Sequence, residues 1–178
     1  MSTPQIEDQE TVYEGKLVTV RRDTLRIDGR QQVQDVVAHP DSVAIVAIDD
    51  QDRILLIRQY RHPVSEMLWE VPAGLLDRPG ETPLDGAHRE LADESGYLAA
   101  SWQPLVELHT SPGVLTERVQ VWLAGDLSIA PGGAKDTLER KWVTLPHALD
   151  MVFAAEITNA LSVAGILAAA HRKADTPR

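Results

Sequence analysis

Short runs of β-branched and aliphatic residues, broken by polar turns, fill the first two thirds of the chain and predict strands. Lys16–Ile27 alternates well enough for one or two strands, and Asp28-Gly29 supplies a hairpin-type turn before Val33–Ala38. Ser42–Ile48 and Ile54–Tyr60 flank a second turn at Asp49-Asp50-Gln51-Asp52. Met67–Val71, Leu105–His109, Arg118–Ala124 and Lys141–Thr144 complete the strand candidates, with a spacing that suits a mixed sheet rather than regular βαβ alternation. Residues 1–10 and the tail after His171 read as frayed.

Two helical regions stand out. Over Pro83–Ser95, Leu84, Ala87, His88 and Leu91 recur at i, i+3, i+4 and i+7 and form one packing stripe. Thr82 is placed to cap this helix, Pro83 suits its first position, Asp85 completes a capping box, and Gly96 is a natural stop. The second region runs from Pro146 to about Ala155, then from Asn159 to Arg172. Strands, a middle helix, more strands and terminal helices make the fold class α+β, or a layered α/β/α arrangement.

The 178 residues carry a formal net charge of −10, with 43% hydrophobic residues, which is enough for one domain with a real core. No internal repeat or linker divides the chain, so residues 1–178 read as a single domain. An average field this acidic repels polyanions and argues against a nucleic-acid partner. The absence of cysteine excludes disulfides, thiolate metal sites and cysteine nucleophiles. No apolar run reaches bilayer length, and the polar, acidic start is unlike a signal peptide; the expectation is a cytoplasmic protein without a membrane partner.

The chemistry concentrates in Gly74–Tyr97. Glu90 and Glu94 stand at i and i+4, and Asp93 at i+3, so three carboxylates are expected on one helix face. They crowd the C-terminal half of the helix, where its dipole disfavours anions. Arg89 or a divalent metal would offset that charge, and hard cations such as Mg²⁺ or Mn²⁺ take oxygen ligands of this kind. The bland alternative is a solvated acidic face. The glycine-containing turn that leads into the helix, with Gly74 and Gly80, favours the metal.

The segment resembles the Nudix box: Gly74, Glu81, Arg89-Glu90-Leu91, Asp93-Glu94 and Gly96-Tyr97 match its residues in order. The loop from Gly74 to Glu81 is one residue longer than the common form, and Asp93 stands where Glu is usual. Ile57–His62, Leu68–Leu76, Thr110–Val114 with Thr116-Glu117, and Glu156–Gly165 are similar to the ADP-ribose pyrophosphatase branch of that superfamily. The resemblance implies a Nudix α/β/α sandwich with a core over residues 41–172. It also implies an N-terminal antiparallel strand region, residues 10–40, used in homodimerisation.

It further implies a Mg²⁺-dependent hydrolase, with Mn²⁺ as a substitute, that cleaves the diphosphate of ADP-ribose or a similar nucleoside diphosphate sugar. By resemblance Glu90 and Glu94 are the principal metal ligands, Asp93 an auxiliary one and the Ala73 carbonyl a fourth, while Arg89 pairs with Glu81 to lock the loop on the helix. Arg61 matches a diphosphate-contacting arginine and Glu70 a substrate-contacting acid; an exposed strand-end arginine and a buried strand-end pair are the competing readings. Pro112, Gly113 and Glu117 match a loop closing over the ribose side, against a plain Pro-Gly turn. The usual general base falls on Ala134 and Lys135, so Asp136 is the candidate base, with Glu139 as the alternative carboxylate. Gln34 replaces an arginine common in the branch. His88, His109 and His147 read as packed or exposed histidines, not ligands, and the four tryptophans as core or interface anchors. The rival readings are another nucleotide sugar or dinucleoside polyphosphate as substrate, or a catalytically weakened module that binds ADP-ribose.

Overall fold

The computed structural model describes residues 3–134 and 138–175. The chain divides into two compact units, one built from the residues up to Asp41 with His109–Arg118, the other from Ser42–Leu108 with the residues from Val119 onward.

The smaller unit is an antiparallel sheet of β1 (Gln5–Glu14), β2 (Thr19–Ile27) and β3 (Arg30–Ala38), in that order. Asp28 and Gly29 both take positive φ, 48° and 78°, in the tight turn that joins β2 to β3. The expected fraying of residues 1–10 is corrected here, because Gln5–Glu14 pairs with β2 along its length. Every β1 side chain is exposed, so no hydrophobic alternation marks this strand. Backbone pairing holds it instead, aided by cross-strand polar contacts: Arg26 with Glu7, and the Gln9 amide donating to Asp23 at 3.1 Å. The segment His109–Arg118 lies along β3, with the Val37 N–H donating to the Val114 carbonyl at 2.8 Å.

In the larger unit β4 (Ser42–Ala47) is central. It runs parallel to β9 (Arg118–Ile129) and antiparallel to the short β7 (Ala73–Leu75), and β8 (Tyr97–His109) forms the edge beyond β9. A second sheet sets β5 (Arg53–Arg61) between β6 (Glu66–Glu70) and β10 (Glu139–Thr144), both antiparallel to it. Three helices complete the unit: α1 (Pro83–Glu90), α2 (Leu145–Phe153) and α3 (Ala160–Ala174). The tail expectation is corrected as well, since α3 continues past His171 to Ala174.

Residues of β4 alternate between two cores. Val43, Ile45 and Ala47 pack with Ala87 and Leu91 below α1, whereas Ala44 and Val46 pack with Ala148, Met151, Ile166 and Ala169 of α2 and α3. A strand apolar on both faces reads as one continuous hydrophobic run, as SVAIVA does, and it ends up covered by helices on both sides. The larger unit is therefore layered α/β/α, and with its parallel pair among antiparallel ones it is a mixed α+β fold. No helix among the described residues is long and apolar enough to cross a membrane.

Candidate active site

Thr82 anchors the start of α1. Its hydroxyl accepts from the Asp85 N–H at 3.2 Å, and the Asp85 carboxylate returns the contact to the Thr82 N–H at 3.2 Å, which makes a complete capping box. The helix does not run unbroken to Ser95, as its periodicity predicts; from Leu91 it widens into a π turn, Leu91–Ser95. Such turns insert a residue into the helical ladder and are frequent at functional sites. Gly96 ends it at φ 77°, where a side chain would also strike the Ala134 backbone nitrogen, 2.6 Å from an ideal Cβ.

Arg89 binds the loop to the helix. Its Nε and Nη2 donate to the two Glu81 oxygens at 2.7 and 2.8 Å, Nη2 also reaches the Leu75 carbonyl at 2.9 Å, and Nη1 contacts Glu90. These hydrogen bonds hold the Glu81 carboxyl below the usual range and raise Arg89. The longer Gly74–Glu81 loop is thus fastened at both ends of a two-pronged pair.

Glu90 lies against Gly74. A Cβ at position 74 would sit 2.1 Å from the Glu90 carboxyl carbon, so only glycine leaves room for that carboxylate. Burial pushes the Glu90 carboxyl up, against the pull of Arg89, and repulsion from Asp93 and Asp77 adds to the rise. Glu94 is 8% exposed. Its two oxygens are each claimed by a neutral donor: Gln59 Nε2 at 2.6 Å and the Ala73 N–H at 3.0 Å. Burial pushes its carboxyl up to about 7; Glu90 repels it further, while the two donors and the field of Arg61 pull the other way. Among the described residues Glu94 makes no ion pair.

The expected trio of carboxylates does not form a cluster of metal ligands among the described residues. Asp93 is half-buried and near enough to raise Glu90, but among the described residues no three His, Cys, Asp or Glu side chains gather as metal ligands. The π turn rotates the chain less per residue than an α-helix does, and Arg89 draws one Glu90 oxygen toward itself.

Glu70 is 1% exposed and is held by Arg61, whose Nε and Nη2 lie 3.0 and 2.5 Å from its oxygens. That is the buried strand-end pair, and it raises Arg61. Arg61 is nevertheless close enough to Glu94 for its charge to register there.

Pro112, Gly113 and Glu117 belong to the smaller unit. There the Gln34 amide donates to the Gly113 carbonyl at 3.1 Å, and the Thr110 hydroxyl donates to Glu117 at 2.7 Å. Gln34 thus steadies the Pro-Gly turn within this unit. Asp136 lies outside the described residues. Glu139 pairs with Arg58 at 3.3 Å, directly across β5, on the face opposite to Gln59 and therefore away from Glu94.

His88 packs against Trp102 with ring centroids 4.3 Å apart, and His109 and His147 are exposed. Gln59 is the residue that the sequence reading passed over. It sits in the IRQYRH run, and strand alternation puts it on the same side as Ile57 and Arg61, which is the only available signal.

Comparisons with known proteins place the chain in a family. The chain is 42% identical over 164 residues to an ADP-ribose pyrophosphatase of Mycobacterium tuberculosis, covering 89% of this chain and 79% of that protein. It is 32% identical over 157 residues to an ADP-ribose pyrophosphatase of Bacillus subtilis, covering 85% and 84%. A crystal structure of an ADP compounds hydrolase superposes with a TM-score of 0.86 at 26% identity, covering 97% of this chain and 95% of the other. The NUDIX domain profile matches residues 38–161, well over half of the chain, and with Glu81, Arg89, Glu90 and Glu94 all inside that span the protein belongs to the Nudix family.

Proposed function

We propose that this protein is a divalent-metal-dependent hydrolase that cleaves the diphosphate of ADP-ribose to AMP and ribose 5-phosphate. The observation that carries the proposal is the pair of carboxylates Glu90 and Glu94, with Glu94 accepting, among the described residues, from two neutral donors. Two relatives named ADP-ribose pyrophosphatase, at 42% and 32% identity, direct the choice of substrate.

The residues fit a divalent ion. Hard oxygen donors stand together, and burial raises both carboxyls because it disfavours their charged forms, a cost that a bound cation would offset. Glu90 and Glu94 would hold the ion, with the Ala73 carbonyl and Asp93 as further oxygens, and Mg²⁺ is the expected metal. When bound, the ion would neutralise the diphosphate and polarise its bridging bond. Arg89 keeps the loop and Glu90 in place, a supporting duty on which metal affinity commonly depends. Arg61, held through two nitrogens by Glu70, is oriented to present its charge to a phosphate oxygen. Glu117, steadied by Thr110, and the turn at Pro112-Gly113 are assigned to the ribose side, and Asp136 to accepting a proton from the attacking water. Homodimerisation through the smaller unit belongs to the same reading, supported by the exposed Ile6, Tyr13 and Val33; sedimentation of the purified chain measures it.

The test is incubation with ADP-ribose and Mg²⁺. AMP should accumulate and EDTA should stop it. Tight binding of ADP-ribose with no AMP at any metal concentration would instead identify a sensor.

A further inference from the structure

We infer that Gln59 is a positioning residue that orients Glu94 for a divalent cation without neutralising it. The inference rests on the metal reading of Glu90 and Glu94 given above.

Glu94 projects from the π turn into a largely buried place. Two donors fix it. The Ala73 N–H takes Oε2 at 3.0 Å from the short strand β7, and Gln59 Nε2 takes Oε1 at 2.6 Å from β5. The carboxylate is therefore held from two separate strands, which defines the direction of its remaining lone pairs. A carboxylate offers about four acceptor sites, so two hydrogen bonds leave acceptor capacity for a cation.

The identity of the donor matters as much as its place. Five residues away on the sequence the same segment uses Arg89, and there the carboxylates receive a full positive charge. A Lys or Arg at position 59 would reach Glu94 over the same distance and pair with it. A divalent ion would then have to displace that pair. The amide of Gln59 supplies direction without charge, and so leaves the anion to the metal. Strand alternation gives the same residue its opening: Gln59 and Arg61 share one face of β5, while Arg58, beside Trp69 and Glu139, takes the other.

The experiment is calorimetric titration of Mn²⁺ into the metal-free full chain, together with thermal unfolding in EDTA. Three proteins are compared: wild type, Gln59→Met and Gln59→Lys. Met keeps the length of Gln but donates nothing. It should weaken Mn²⁺ binding by about tenfold to a hundredfold, the range seen when an outer partner of a metal ligand is removed. Lys should weaken Mn²⁺ binding at least as much while raising the unfolding temperature in EDTA. That opposite movement is one a merely structural role would not give.

Mn²⁺ affinity unchanged in both variants would overturn the role of Gln59 and leave the metal reading standing. No Mn²⁺ uptake by wild type would overturn both. Should the Met variant fail to fold, the Lys variant decides alone: unaltered or tighter Mn²⁺ binding there sinks the inference.

Discussion

The two ends of the acidic segment treat their carboxylates in opposite ways. At the Arg89 end, Glu81 is bonded through both oxygens to a guanidinium, and its carboxyl is pulled down. At the Glu94 end the carboxyl is buried, pushed up to about 7, and met by an amide and a backbone N–H. One end is a completed ion pair, which needs nothing more. The other, among the described residues, is a buried carboxyl with no ion-pair partner, reached by the positive charge of Arg61 only through its field. Both ends are acidic in sequence, so the difference between a fastening and a binding site lies in which partner the fold supplies.

The largest effect should come from breaking the Glu94 end. Glu94→Gln keeps the shape and removes the charge; its amide oxygen can accept from the Ala73 N–H while its NH2 donates to a Gln59 amide turned over. The rate of ADP-ribose hydrolysis should fall roughly a thousandfold or more, since metal stabilisation is worth several kcal/mol. The metal-free variant should unfold at a higher temperature than wild type at pH 8, because a costly buried anion is gone. A rate within a few-fold of wild type would remove Glu94 from the metal.

Next in size is the fastened end. Arg89→Ala leaves Glu81, with a side chain only 8% exposed, and the half-buried Glu90 without their partner. Stability should drop by about 2–4 kcal/mol in urea unfolding, as when one member of a buried pair is removed. Unlike Glu94→Gln, this change should lower stability and activity together. An unchanged midpoint would show that the pair is ornamental.

Proton binding sharpens the contrast further. The Glu94 carboxyl rises from an ordinary 4.5 to about 7 on folding, so between these values the folded chain keeps a proton that the unfolded chain releases. Its contribution to stability is full below pH 4.5 and is lost as pH rises through 7. In EDTA the wild-type chain should therefore lose stability between pH 5 and pH 8, on the order of 2 kcal/mol from this group. The loss should vanish in Glu94→Gln. The smallest effect belongs to the helix start: Thr82→Ala should cost about 1 kcal/mol of stability, with turnover at 25 °C little altered.

Much of this was legible in the sequence. The capping box and a strand at Ser42–Ile48 follow from residue type and spacing, and the Arg89–Glu81 pair from the resemblance to the Nudix box. Other features were not. β1 shows no alternation because none of its side chains is buried, and β7 is three residues long, too short for any period. β8 reaches back to Tyr97 although Pro104 interrupts its pattern, which an edge strand tolerates. The π turn shows no signal in the periodicity of Pro83–Ser95, whereas the buried Arg61–Glu70 pair is one of the two readings open for Glu70. Gln59 went unnoticed because a neutral amide on a strand has meaning only when its partner, thirty-five residues away, is known.

The most direct test of the Glu94 site is thermal unfolding at pH 8 with and without saturating Mn²⁺, for wild type and Glu94→Gln side by side. An ion present at about 100 times its dissociation constant should add about 2.7 kcal/mol to the folded wild-type chain, a rise of several degrees. Glu94→Gln should gain little. An equal rise in both proteins, or none in the wild type, would contradict the account.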